Sequence, residues 1–330
     1  MSNLEKHPAE LLEEPAPLSS SGVEILEPRD VPLGGPRAMT VRRTLPQRRK
    51  SLIGAWCFVD HYGPDVVDAS SGMVVPPHPH TGLQTVSWLF AGVEGNGDID
   101  HRDSVGSHAL VRPGELNLMT AGRGIAHSEV STATTALLHG AQLWIALPDT
   151  SRQHEPFFEH FVPEAVDFGG ATVRVFIGSL VGRRSPATVF SGLVGAQIDL
   201  PAGASVDLPV DPRFEYGALV DAGVLRIDGE TVATSHLGVV GAGRDILRLE
   251  AGDAPVRLLL IGGEPLGESI VMWWNFIARS HEEIVAFRQD WQADVVGGGT
   301  ETGRFGAVRG YEGRPLPAPE MPNVRLRARE

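Results

Sequence analysis

The chain is punctuated too often to form long elements. Between Val23 and Pro148 it reads as short β-type runs: SLIGAWCFVDHY, LQTVSWLFAG, GDIDHRDS, HALVRPG, LNLMTAG, GIAHSEVS and HGAQLWIAL. Gly, Pro, Asp or Asn stops each run at the interval expected of sandwiches and small barrels. With 39 glycines and 25 prolines in 330 residues, turns and short strands are favoured over long helices. A second series between Ala171 and Gly263 repeats the rhythm: TVRVFIG, GAQIDLPAG, YGALVDAGVLRIDG, LGVVGAG, DILRLEAG and VRLLLIGG. The expected fold is therefore all-β, two related β-barrels in tandem with a few short helices. What repeats is the type of structure, and no residue-by-residue repeat aligns.

A chain of 330 residues has room for two domains of ordinary size. The reading gives a mobile N-terminal tail over 1–22, a first barrel over 23–150 and a polar, proline-bounded linker over 151–170. A second barrel over 171–296 carries a docking helix, and a Pro-rich basic tail over 297–330 runs extended along the surface. The helix is SHEEIVAFRQDW, where Ser280 and Glu283 have capping-box spacing and Ile284, Phe287 and Trp291 share one face.

Charge and cysteine usage exclude several functions. Against 41 acidic residues stand 28 basic ones, a formal charge of −13, which repels phosphate backbones and anionic membranes. Neither nucleic acid nor membrane is expected as a direct partner. The densest basic stretch, Arg42, Arg43, Arg48, Arg49 and Lys50, reads as a solvated charged surface. Cys57 is the single cysteine, so no intramolecular disulfide or Cys-rich zinc ribbon can form. Within LIGAWCFVD it reads as a buried, inert thiol. The N-terminus lacks the apolar region of a signal peptide, and no run approaches the roughly 18 apolar residues of a membrane span. The expected location is the cytoplasm.

The chemistry concentrates in PHPHTGLQTVSWL. Side chains two apart on a strand share a face, so an extended segment aims His78 and His80 into one cavity. Pro79 pushes the residue before it toward extended conformations. Pro76 and Pro77 stiffen the approach, at little cost if this is an edge or strand entrance. Alone, the pair could equally be satisfied structurally or face solvent. RPGELNLMTAGRGIAHSEV then repeats the spacing in His127 and Glu129. Three imidazoles and a carboxylate form a mixed N/O site suited to Fe(II), Mn, Ni, Cu or Zn rather than calcium or an iron–sulfur cluster. On a six-coordinate ion they leave two positions for substrate, oxygen or water.

The remaining histidines carry less. His101 alternates with Asp103 as a hydrogen-bonded structural pair, with a supporting role behind the metal left open. His61, His108 and His139 are read as structural, and His154 and His160 fall in the linker. The second half lacks a His-x-His pair, and His236 is its only histidine before the closing helix. It is read as metal-free. Gly122 and Gly124 flank Arg123 in a turn needing positive φ or close backbone approach. No Walker sequence or Gly-x-Ser-x-Gly elbow is present.

His-x-His on one strand, then a Pro-Gly turn and a further histidine, resembles the two metal motifs of the cupin superfamily. PHPHTGLQTVSWL, DHRDS, RPGELNLMTAGRGIAHSE and GGEPLGESIVMWWNF together resemble the pirin family of bicupins, from about Arg43 to Trp291. MTAGRGIAHSE is the most specific string. The resemblance implies metal in the N-terminal cupin only, with iron held at His78, His80, His127 and Glu129. Nickel, copper, manganese and zinc stay open. Thr81 stands where many pirins have arginine and Gln84 where many have glutamate. An additional EGNGD turn precedes IDHRDS.

Two functions follow from the resemblance. One is an iron-dependent dioxygenase of the quercetin 2,3-dioxygenase type, taking O2 and a flavonol-like or other small aromatic or enol substrate. There Glu129 is the catalytic base as well as a detachable ligand. The alternative is a non-enzymatic, redox- or metal-dependent regulator that binds a protein partner, as a transcription coregulator or a modulator of a metabolic enzyme.

Overall fold

The computed structural model describes residues 22–33, 39–68, 70–298 and 302–329. Apart from Gly22, the expected N-terminal tail lies outside the described residues. The first twelve strands are β1 (Val23–Leu26), β2 (Arg29–Pro32), β3 (Thr40–Leu45), β4 (Trp56–Val66), β5 (Val74–His80) and β6 (Leu83–Leu89), then β7 (Ile99–Asp103), β8 (His108–Val111), β9 (Leu116–Thr120), β10 (Ile125–Ser131), β11 (Leu137–Ala146) and β12 (Phe157–Phe161). A seven-stranded sheet, β12-β9-β6-β11-β4-β3-β2, packs against a four-stranded sheet, β5-β10-β7-β8. The second barrel repeats this plan with an eight-stranded sheet and a four-stranded one. The fold is thus all-β and bicupin, with one α-helix among the described residues.

Strand exchange and added strands refine the sequence division. β1 leaves the first barrel and pairs antiparallel with Leu237–Val240 of the second. The segment read as a linker holds two strands: β12 extends the first barrel beside β9, and Ala165–Phe168 extends the second. Its aromatic residues pack: Phe158 joins a core of the first barrel, Phe161 the core between the barrels and Phe168 that of the second.

The two large sheets meet face to face. All seven residues of β6 are buried, because one face lines the first barrel and the other meets the second barrel. One continuous core joins Trp56, Val86, Trp88 and Leu143 to Phe176, Leu219, Leu237 and Leu259. Trp88 stacks on Phe176 at 4.5 Å and donates its indole N–H to Gln197 Oε1 at 3.0 Å. Gly54 sits where the backbones nearly touch: with φ of 54°, a Cβ there would come within 2.6 Å of Gly263 Cα.

After Gly263 the chain returns to the first barrel. The short hairpin Val271–Trp273 and Phe276–Ala278 bridges Thr81 through Phe276. The helix α1 (His281–Trp291) is capped by Ser280, whose side chain accepts from Glu283 N–H. The return bond of Glu283 goes to Arg279 N–H at 2.8 Å. Ile284, Phe287 and Trp291 are buried, with Phe276 and Phe305, in a core that includes Ala126 of β10. The C-terminal segment crosses the same region: Leu316 N–H donates to Pro77 O at 2.9 Å and Arg304 Nη1 to Arg123 O at 3.0 Å.

Candidate metal centre

The proline-rich entrance positions the first two histidines. β5 is the edge of its sheet, where prolines cost least. Its partner β10 aligns His127 with His78 and Ile125 with His80, but Glu129 with Val75. The register shift falls across Pro76–Pro77, so a bulge absorbs two residues unable to donate to the ladder. From the other side, β7 sets Asp103 opposite His127 and His101 opposite Glu129.

These registers bring three imidazoles together. His78, His80 and His127 offer nitrogens all within 4.8 Å of one another, and the side chains are 0–1% exposed. Each Nδ1 has a partner: Pro76 O at 2.9 Å for His78, Asn275 O at 3.1 Å for His80, and His101 Nδ1 at 3.4 Å for His127. Carbonyl oxygens accept only, so His78 and His80 carry their proton on Nδ1 and leave Nε2 as a lone pair. His127 faces an imidazole nitrogen instead, and His101 Nε2 stands 3.6 Å from Asp103 Oδ2, too far for a hydrogen bond. Asp103 is itself fixed by Val105 N–H at 3.0 Å and Ser107 N–H at 2.8 Å. Outer partners of this kind set the tautomer of metal-binding histidines.

Burial keeps the imidazoles neutral. It lowers His78 to about 3 and holds His80 and His127 well below the ordinary imidazole range. Yet His80 Nε2 and His127 Nε2 stand 3.1 Å apart, and His78 Nε2 is buried with no hydrogen-bond partner. The lone pairs of His78 and His80 turned into a dry space beside a third imidazole are costly and fit a cation of the nitrogen-preferring kind.

Glu129, two residues beyond His127 on β10, is buried too, but its carboxylate lies outside the group of ligand atoms formed by the three imidazoles. Its Oε1 accepts from Ser87 Oγ at 3.2 Å, while Oε2 is buried without a hydrogen-bond partner. Trp144 lies edge-on to His80 at 5.2 Å and stacks on Phe58 at 4.1 Å, giving the site an aromatic wall. Phe158 stacks on His101 at 4.7 Å.

The two departures from the family pattern lie outside this cluster. Gln84 donates through Nε2 to Thr120 Oγ1 and Thr188 O, on the strand face toward the second barrel. Thr81 Oγ1 reaches Ile277 O at 3.5 Å. Gly122 has φ of 51°, and a Cβ there would meet His154 O at 1.9 Å. Cys57 is buried with Sγ 3.5 Å from Trp144 O, and burial pushes its thiol far up.

Sequence reasoning missed a second cluster. His61 on β4 and His139 on β11 both donate from Nε2 to Asp221 Oδ1, at 2.7 and 2.5 Å. Asp221 belongs to Glu215–Ala222 of the second barrel, a separation no local motif reveals. His61 Nδ1 faces the Arg42 Nε–H at 3.4 Å and must accept, so its Nε2 bears the proton. Arg257 Nη1 holds Asp221 Oδ2 at 3.1 Å. The tautomer is the reverse of that at His78 and His80, and two guanidinium groups stand close. This cluster is a hydrogen-bonded clamp between barrels. His108 and His160 pair with surface carboxylates, Asp100 and Glu115, each at 2.7 Å.

The chain is similar to known proteins. The family model described as Pirin matches residues 38–145, and the Pirin C-terminal cupin domain matches 195–297. A Pseudomonas aeruginosa protein named "Putative quercetin 2,3-dioxygenase" is 41% identical over 296 residues, 89% of each chain. The solved quercetin 2,3-dioxygenase of Acinetobacter baumannii is 38% identical with a TM-score of 0.84, covering 93% of this chain and 97% of its own. A bacterial pirin of Escherichia coli solved with nickel(II) shares the fold at 18% identity and a TM-score of 0.58, over 74% of this chain and 99% of its own.

Proposed function

The chain belongs to the pirin family, and from that premise we propose that it is a metal-dependent dioxygenase of the quercetin 2,3-dioxygenase type. One observation carries the reading: three buried imidazoles whose outer nitrogens are engaged turn Nε2 toward one another. His78, His80 and His127 hold the ion and Glu129 is its fourth, detachable ligand. Iron is the ion assigned from the family resemblance, although nickel, copper, manganese and zinc suit the same donors.

When bound, the ion supplies Lewis acidity that makes an enol hydroxyl easier to ionise. The bare Oε2 of Glu129 is the base that accepts the flavonol 3-hydroxyl proton. One O2 is then consumed per flavonol as the central ring opens and carbon monoxide leaves. Trp144, stacked on Phe58, lies edge-on to His80 and makes the surroundings of the imidazole apolar. Burial of all four residues excludes bulk water from the reacting groups. The single, buried thiol accords with a cytoplasmic setting.

The test is oxygen uptake and carbon monoxide release by iron-loaded protein given quercetin. The expected result is turnover that disappears in both His78→Ala and Glu129→Ala. Turnover that survives either substitution contradicts the assignment.

The other reading, a metal-dependent regulator that binds a protein partner, is favoured by one observation. The C-terminal segment is tied to Pro77, next to His78 in the chain, and to Arg123 in the turn before His127. Capture of a partner that depends on ferric against ferrous loading, without turnover, would favour it.

A further inference from the structure

Ser87 and Gln142 lie directly opposite each other on β6 and β11, beside Glu129. The Ser87 hydroxyl stands 3.2 Å from Glu129 Oε1 and 2.9 Å from Gln142 Oε1. A hydroxyl has one proton to give, so it cannot donate to both. Gln142 Nε2, meanwhile, is buried without a partner. Exchanging the amide's oxygen and nitrogen resolves the conflict. Gln142 Nε2 then donates to Ser87 Oγ, and Ser87 donates its proton to Glu129 Oε1. The three groups form a one-way relay, each bond polarising the next.

We propose that Ser87, oriented by Gln142, is the positioning residue for Glu129: it occupies Oε1 and leaves Oε2 as the single bare carboxylate oxygen free to turn toward an ion at His78, His80 and His127. The proposal rests on the metal-centre reading above. Its physical content is selection between two otherwise equivalent oxygens. With Ser87 in place the carboxylate has one free oxygen and one orientation. With alanine there, both oxygens are bare and nothing fixes the rotamer. Ser87 itself touches neither ion nor substrate. Its effect passes through Glu129 alone, so it must vanish when Glu129 cannot act as a carboxylate.

The experiment is a cobalt(II) titration of the metal-stripped full chain, read as affinity by chelator competition and as the visible absorption of the bound ion. Ser87→Ala is expected to weaken cobalt binding by about 10–100-fold, the usual cost of losing such a supporting partner. Its visible spectrum should shift in the same sense as that of Glu129→Gln. Ser87→Thr, which keeps the hydroxyl, should restore both. Gln142→Leu should move them in the same direction and serves where Ser87→Ala does not fold. In a Glu129→Gln background, adding Ser87→Ala should change nothing further. Wild-type affinity in both Ser87→Ala and Gln142→Leu, or a Ser87 effect undiminished in Glu129→Gln, overturns the positioning role and leaves the metal centre standing. Wild-type protein that takes up no cobalt, or a His80→Ala variant that takes it up equally well, overturns the metal-centre reading and this inference with it.

Discussion

His80 Nε2 stands 3.1 Å from His127 Nε2 and can only accept there. Asn275 O fixes the proton of His80 on Nδ1, and His127 Nδ1 faces His101 Nδ1 at 3.4 Å. Across the molecule, His61 Nε2 and His139 Nε2 also converge, but on Asp221 Oδ1, as donors. The two clusters use the same residue type in opposite tautomers. The first turns acceptor nitrogens inward, and the second donates its protons to a carboxylate of the other barrel.

The clamp predicts a stability effect without a metal effect. Replacing Asp221 by alanine leaves the buried Nε2–H groups of His61 and His139 without their acceptor and removes one of the two carboxylates that hold Arg257. Breaking a buried charged network in this way costs about 3–5 kcal/mol. Denaturant unfolding should register that loss, while bound metal per chain stays at the wild-type value.

The same clamp predicts sensitivity to acid. Burial lowers His61 below the ordinary imidazole value of 6.5, against the pull of Asp221. For Asp221, burial pushes upward, but the hydrogen bonds from His139 and His61 outweigh it and hold the carboxyl low. Both folded pKa values are depressed, so the unfolded chain takes up protons first and stability falls with falling pH. The His61 contribution begins to be lost below about 6.5 and the Asp221 contribution below about 4. Melting temperature should decline between pH 7.5 and 5. His61→Gln, which keeps an N–H donor without an ionising group, should flatten that decline.

The C-terminal segment should be integral to the fold. Phe305 is buried against the edge of Trp291 at 5.6 Å and against Phe276 at 5.8 Å. Truncating a buried Phe typically costs about 3–5 kcal/mol. Phe305→Ala should therefore show a large fall in unfolding free energy, and a surface-like loss under 0.5 kcal/mol would contradict this packing.

The parts legible in the sequence were local ones. The i, i+2 spacing of His78 with His80 and of His127 with Glu129 needs only a strand to place each pair on one face. Proline at the entrance agreed with an edge, and the Gly and Pro rhythm with two barrels. What escaped depends on contacts made far along the chain. The acceptor for His80 is a backbone carbonyl at Asn275, which no side-chain pattern announces. Ser87 reads as one polar residue in an apolar strand until Glu129 is seen across the barrel. His61 and His139 read as lone residues because Asp221 comes from the other domain. The exchange of β1 escaped for a similar reason: Val23–Leu26 suits either barrel, and only pairing with Leu237–Val240 decides it.

Bound metal per chain, measured by elemental analysis on protein purified without added metal, tests the account most directly. The wild-type chain should carry close to one transition-metal ion, and His78→Ala, His80→Ala and His127→Ala should each carry almost none while remaining folded. Asp221→Ala should carry as much as the wild type. A metal content unaltered by loss of any of those three imidazoles would contradict the account, as would a wild-type chain that takes up no ion when offered one.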